Sequence, residues 1–329
     1  MVVAADPSVA SAGLTGRRMS IQIFRSTPRY DFLRFRAAAF TFSSLMVLVT
    51  IVSFFAVGLT YGIDFRGGVL IEVATRGPAD LGSMRATLGG LGLGEVELQE
   101  FGAPNDVLIR IARQPGEERA QQAAVDKVKA ALGPEVEYRR TEVVGPKVGD
   151  ELIRAGATAV VVSMFLILVY IWFRFEWQFG LAAIVALMHD VISTIGIYSL
   201  LGLEFNLTSV AALLTIAGYS INDTVVVFDR VRENLRKYKS MPLMELVNLS
   251  VNETLSRTIL TSGTTLAAVL MLFLFGGEVI RGFSFAMIWG IVVGTYSSIW
   301  VASSLLLYFG VRRAMAAEQE EKATGKAAP

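Results

Sequence analysis

Six runs of apolar residues, each near the ~20 that an α-helix needs to cross a bilayer, constrain this chain before anything else does. They are Ala38–Leu59, Ala155–Phe173, Phe179–Leu201, Phe205–Val227, Thr258–Gly276 and Phe283–Gly310. Hydrocarbon offers no partner to a backbone N–H or C=O, and runs of this length satisfy those groups as helices. The expected fold class is therefore an α-helical polytopic membrane protein with six transmembrane helices. Composition agrees: 53% of residues are hydrophobic and 18% charged, too apolar a balance for an ordinary soluble domain.

Lys and Arg in short flanks set the orientation. The arm 1–37 carries Arg17, Arg18, Arg25, Arg29, Arg34 and Arg36; the loop 229–257 carries Arg230, Arg232, Arg236, Lys237, Lys239 and Arg257; the tail 311–329 carries Arg312 and Arg313. Six crossings put all three on the cytoplasmic side and residues 60–154 outside. The arm leads into an apolar run too long for a signal-peptide core, so the first span is expected to remain. Residues 1–16 and 316–329 have the composition of disordered segments.

The insert 60–154 alternates strand and helix patterns: strand Val69–Ala74, helix Ala79–Leu91, strands Val96–Phe101 and Val107–Ala112, helix Glu117–Leu132, strand Val136–Val144. That order, βαββαβ, predicts an extracytoplasmic α+β ferredoxin-like domain between helices 1 and 2. In the loop 229–257, Pro242 can open a helix with Leu243, Leu246, Val247, Ser250, Val251 and Thr254 on one face. It would lie along the membrane surface or pack on the base of the bundle.

Some chemistry is excluded. The chain has no cysteine and one histidine, so thiol catalysis, disulfides and Cys- or His-rich metal sites drop out. A net charge of +1 argues against nucleic acid. The Gly90, Gly92, Gly94 loop opens no phosphate-binding helix, and no P-loop is present. No cofactor, metal or enzymatic activity is expected.

Three ionisable side chains lie well inside the apolar runs: Asp223, Asp190 and His189. A carboxylate there costs roughly 2.5–3.5 kcal/mol on the insertion scale and is seldom kept without a use. At 100° per residue, Arg230 lies about 20° and Ser209 about 40° from Asp223, with Tyr219 and Ser220 one turn before it. Asp223 thus faces a polar stripe able to carry a proton; the bland alternative is a hydrogen-bond acceptor that holds helices together. Asn222 and Asp229 share another face. Adjacent His189 and Asp190 point about 100° apart and cannot both face one groove squarely; His189 could be a proton group or a core donor. Arg257 could answer Asp223 or be an ordinary positive-inside anchor. The Thr-rich start of span five and the Gly290/Gly294 pair read first as close-packing devices.

These residues also carry a resemblance. Gly62-Ile63-Asp64-Phe65-Arg66-Gly67-Gly68, Val144-Gly145-Pro146-Lys147-Val148-Gly149, the string Thr215 to Arg230, and Ser256-Arg257-Thr258 resemble signatures of the SecD/SecF protein-export family, in order over roughly residues 20–313. The short insert favours the SecF side. The resemblance implies half of an RND-type bundle in the bacterial inner membrane. Its implied partners are SecD, the SecYEG translocon, YajC and YidC, with an unfolded exported polypeptide as client. It implies a late-stage export role driven by the proton motive force, with Asp223 and Arg257 in the proton pathway and Ser220, Asn222, His189 and Asp190 as possible support. Gly62, Asp64, Arg66, Gly67 and Gly68 would form a structural signature at the membrane exit. Protons are the implied coupling ion, with sodium as the alternative. Two other readings stand beside it: a non-conducting scaffold for the translocon, and half of a small-molecule exporter.

Overall fold

The computed structural model describes residues 28–116 and 118–311. The disorder expected of 1–16 and 316–329, and the tail arginines, lie outside them. In chain order the elements are α1 (Arg36–Ala56), β1 (Thr60–Tyr61), α2 (Ile63–Arg66), β2 (Gly68–Thr75), α3 (Leu81–Gly89), β3 (Val96–Phe101), β4 (Ala103–Ile111), α4 (Glu118–Leu132) and β5 (Val136–Val144). Then come α5 (Pro146–Arg174), α6 (Trp177–Leu201), β6 (Glu204–Phe205), α7 (Leu207–Lys237), α8 (Leu243–Phe275), α9 (Glu278–Tyr296) and α10 (Ser303–Tyr308). A π-helical segment, Ser297–Ala302, joins the last two.

Among the described residues, six helices are long and apolar enough to cross a membrane. They are not equivalent. In α6, α7 and the α9–α10 rod, 50–61% of the apolar window is buried, against 6% in α5 and 17% in α8. Small residues explain the inner position of α6: Gly180, Ala182, Ala183 and Ala186 are all buried on it. A Cβ at Gly196 would overlap Thr50 of α1, and one at Gly290 would overlap Ile216 of α7. Without a hydrophobic drive between helices in lipid, such close approaches supply the packing energy.

The insert keeps the element order βαββαβ, with sheet order β3-β4-β2-β5 and every neighbour antiparallel. Val69, Ile71 and Val73 of β2 alternate onto one face and pack with Met84 and Leu88 of α3 and Val125 and Val128 of α4. The opposite face buries Leu70 and Leu108 against Ile63 of α2. That contact ties the sheet to the membrane-proximal segment.

Of the two places expected for the loop helix, the structure takes the base of the bundle. The helix does open after Pro242, but it runs unbroken through Phe275 as the start of span five. Leu246, Val247, Ser250, Val251 and Thr254 are buried, so this stretch packs on the base of the bundle and is no separate surface helix. The reason is local: no Gly or Pro interrupts residues 243–262. The same stretch captures the incoming chain. Asn248 Oδ1 accepts from Phe32 N and Asn252 Oδ1 from Tyr30 N, each at 2.9 Å. Both asparagine amides donate back to Tyr30 O. Spaced one turn apart, the two side chains hold an extended segment as a strand neighbour would.

Candidate functional site

The middle of the bundle holds two carboxylates on neighbouring helices. Asp223 of α7 is 2% exposed and Asp190 of α6 is fully buried. Ser262 of α8 donates to Asp223 Oδ2 at 3.3 Å and shares a 2.8 Å hydrogen bond with Thr295 of α9. Asp190 is more tightly held. Its Oδ2 accepts from Ser220 Oγ of α7 at 2.5 Å and from Ser297 Oγ at 2.7 Å, and its Oδ1 meets His189 Nδ1 at 2.8 Å. Gly294 makes this possible: a Cβ there would stand 3.3 Å from Ser220 Cβ and 3.7 Å from Asp190 Oδ2. The Gly290/Gly294 pair therefore brings α9 onto α7 and carries Thr295 and Ser297 to the two acids.

His189 and Asp190 meet although their Cβ directions differ by about 100°. Both side chains are long enough to close the gap, and α6 is enclosed on several sides, so neither has to face a single groove. When Asp190 is ionised and His189 neutral, Nδ1 donates to the carboxylate and Nε2 is left as an acceptor. That Nε2 is buried with no hydrogen-bond partner among the described residues. The ring lies near Tyr296, with centroids 6.3 Å apart.

The polar stripe drawn on α7 is not continuous. Ser209 is spent at the helix start, where it and Asn206 form a capping box. Arg230 is bound by Glu253 at 2.7 Å and Glu233 at 2.6 Å. Tyr219 has a buried hydroxyl without a partner among the described residues. Asn222 is exposed and outside the cluster, and Asp229 pairs with Arg174. Arg257 is exposed on α8; its charge reaches Asp223, but no ion pair joins them among the described residues. Sequence reasoning missed Ser262 as an individual, and missed Thr295 and Ser297 altogether. The π-helical segment that begins at Ser297 has no pattern in the sequence, yet such widened turns often accompany functional positions.

The signature Gly62–Gly68 packs at the N-terminal end of α7. Asp64 Oδ2 accepts from Leu207 N, the first residue of α7, at 2.9 Å. β1 pairs in parallel with β6 just before α7, and Gly62 N donates to Phe205 O at 2.9 Å. Arg110 of β4 binds Glu204 at 2.6 Å and Glu97 at 2.9 Å. A carboxylate at a helix N-terminus satisfies a free N–H and meets the positive end of the helix dipole. The insert thus grips the helix that carries Asp223. Asp64→Ala is expected to cost about 1 kcal/mol locally and to lower hydrogen-exchange protection of the Leu207 amide roughly fivefold. Asp80→Ala removes an equivalent cap from α3 and should leave Leu207 unchanged. Equal protection in wild type and Asp64→Ala would deny the grip.

Comparison with known proteins fits this geometry. The family described as "Protein export membrane protein SecD/SecF, C-terminal" matches residues 124–312, and the "SecD/SecF GG Motif" matches residues 52–79. A protein translocase subunit SecF of Rickettsia akari is 48% identical over 291 residues, covering 86% of this chain and 93% of its own. One from Cereibacter sphaeroides is 48% identical over 292 residues, covering 86% and 90%. The crystal structure of SecDF, a translocon-associated membrane protein from Thermus thermophilus, superposes with a TM-score of 0.78 at 39% identity, over 88% of this chain. This chain spans 40% of that one.

Proposed function

This chain belongs to the SecF branch of the SecD/SecF protein-export family, and on that premise we propose that it forms one half of a proton-driven export motor. Its other half is a SecD subunit, and the pair acts on polypeptides leaving a SecYEG channel on the extracytoplasmic side; YajC and YidC are further candidate partners. The chain sits in the bacterial inner membrane with both termini cytoplasmic and residues 60–154 outside. It is a transport subunit and not an enzyme.

One observation carries this reading: a single helix, α7, holds a buried carboxylate at its centre and is gripped by the insert at its outer end. Protonation of Asp223 removes a charge that Arg257 feels across the α7–α8 face. The balance of packing between those helices then shifts. Any tilt or shift of α7 is handed to the insert through Asp64, the β1–β6 pair and Arg110–Glu204. His189 and Asp190 pin Ser220 and Ser297, so the flanks of Asp223 keep their register while it changes charge. Exposed Asn222 and Arg257 mark the face for SecD, since a lipid-facing guanidinium is costly.

The driving force is adequate. One charge moved through 100 mV releases roughly 2.3 kcal/mol, so a few protons suffice for a domain movement. Export into vesicles that carry this chain with its SecD tests the reading. The gain from an imposed gradient should vanish with a protonophore and survive a sodium ionophore. A gain lost only with the sodium ionophore would replace the coupling ion. Export indifferent to either would leave the chain a scaffold.

A further inference from the structure

A cavity of about 470 Å³ opens between the end of α5 and the last turns of α7, lined by Arg174, Asp229, Arg232, Glu233, Arg236 and Lys237. We propose that it binds the phosphate of an anionic phospholipid headgroup. The inference requires only that the bundle spans a membrane and is independent of proton coupling.

Position is the first support. Trp172 and Phe173 on the last turn of α5 and Trp177 on the first turn of α6 are exposed by 74%, 85% and 60%. Exposed aromatics at helix ends mark the level of lipid headgroups. The cavity therefore lies where phosphates are most concentrated. Beside it runs the barest flank of the bundle, with only 6% of the apolar window of α5 buried and Phe165 and Leu166 exposed. Acyl chains attached to a bound headgroup have an apolar surface to follow.

Charge is the second support. The lining sets four cations against two carboxylates, and Glu176, which pairs with Arg232, reduces the local excess to one positive charge. The carboxylates are already engaged: both oxygens of Asp229 accept from Arg174 at 2.6 Å, and Glu233 is turned to Arg230 at 2.6 Å. No carboxylate pairs with Arg236 or Lys237 among the described residues. Arg232 binds Glu176 at 2.9 Å, which leaves its buried Nε–H without a partner. Lys237 lies over the Tyr238 ring, 4.9 Å from its centroid, and keeps its full charge. A fixed donor beside two cations that no carboxylate neutralises suits a phosphate oxygen better than a carboxamide or a sugar. The volume falls within the range of small-ligand sites.

Each basic residue near the surface favours an anionic lipid roughly fivefold, so losing two should cost about 25-fold in preference. The test uses the complete complex with SecD in nanodiscs of equal phosphatidylglycerol and phosphatidylethanolamine, released into native mass spectrometry. Wild type should retain phosphatidylglycerol in clear excess, and the double variant Arg236→Gln/Lys237→Gln should lose most of that excess while still assembling. Lys127→Gln/Lys129→Gln, a matched charge loss on α4, should change nothing. Equal retention by wild type and the Arg236/Lys237 variant overturns the proposal. So does equal retention of the zwitterionic lipid. Displacement of phosphatidylglycerol by excess inorganic phosphate would make this a free-anion site and also overturns it.

Discussion

Asp223→Asn is expected to abolish the gradient-dependent gain in export while leaving assembly with SecD intact. The substitution is nearly isosteric. The Asn Oδ1 can still accept from Ser262 Oγ, so the Ser262–Thr295 link need not break. Removing a carboxylate from hydrocarbon lowers the cost of that helix, since an acid there is worth roughly 2.5–3.5 kcal/mol against insertion. Stability should therefore hold or rise slightly. What disappears is the exchangeable charge that Arg257 can sense. Measured as export into vesicles at matched expression, the stimulated rate should fall to the ungraded baseline. Unchanged stimulation would make Asp223 a packing residue and favour the scaffold reading. Asp190→Asn should behave differently. Asp190 receives Ser220, Ser297 and His189 on its two oxygens. The amide oxygen can still accept from both serines, but the amide nitrogen then faces His189 Nδ1 and forces the ring into its Nε2–H tautomer, which leaves a buried donor unpaired, so assembly itself should weaken.

What the sequence made legible followed from the strength of its periodic signals. Spans long enough for a bilayer stand out because nothing else tolerates twenty apolar residues in a row. The insert's strands stand out through β-branched runs such as Val69, Ile71 and Val73 of β2. The acids stand out by their cost. Pairing was the part that could not be read. Asp190 depends on Ser220 and Ser297, 30 and 107 positions away, and serine in an apolar helix is too common to single out. The 100° rule left the His189–Asp190 contact unread because it fixes where a Cβ points and not how far a side chain reaches. The helix over residues 243–257 was legible from Pro242 and its apolar face, but its unbroken continuation into span five was not, because the charged residues on its other side separate it from the apolar run. The grip of Asp64 on α7 joins residues 143 apart, and no local pattern announces it.

The largest stability effect is expected from Gly68→Ala, which should loosen the whole insert. Gly68 has φ +125°, a region that L-residues rarely enter, and a Cβ there would lie 2.5 Å from the Ile111 carbonyl oxygen and 3.3 Å from Arg113 N. Both obstacles are backbone, at the end of the strand that pairs with β2 and just past it, so neither can swing aside as a side chain could. Strained φ costs about 1–3 kcal/mol, and an overpacked contact adds about 1–3 kcal/mol. In a small domain each kcal/mol moves the melting point by about 4–8 °C. Two other glycines separate these terms within the same fold. Gly77 has ordinary φ and open space, while Gly92 has φ +66° and open space. Ala at Gly77 should be silent, Ala at Gly92 should cost only the backbone strain, and Ala at Gly68 should cost both. Limited proteolysis of the insert in the assembled complex, followed with temperature, orders the three. If Gly68→Ala ranks with Gly92→Ala, the β2–β4 register yields at that point and the close approach is not a constraint. If it ranks last by 10 °C or more, as the Ile111 contact implies, then the second glycine of the signature exists to let β2 leave α2 alongside β4. In that case α2 stays where Asp64 can reach α7. The glycine pair and the acid would then serve one purpose, which is to keep the domain outside the membrane attached to the helix that carries the charge inside it.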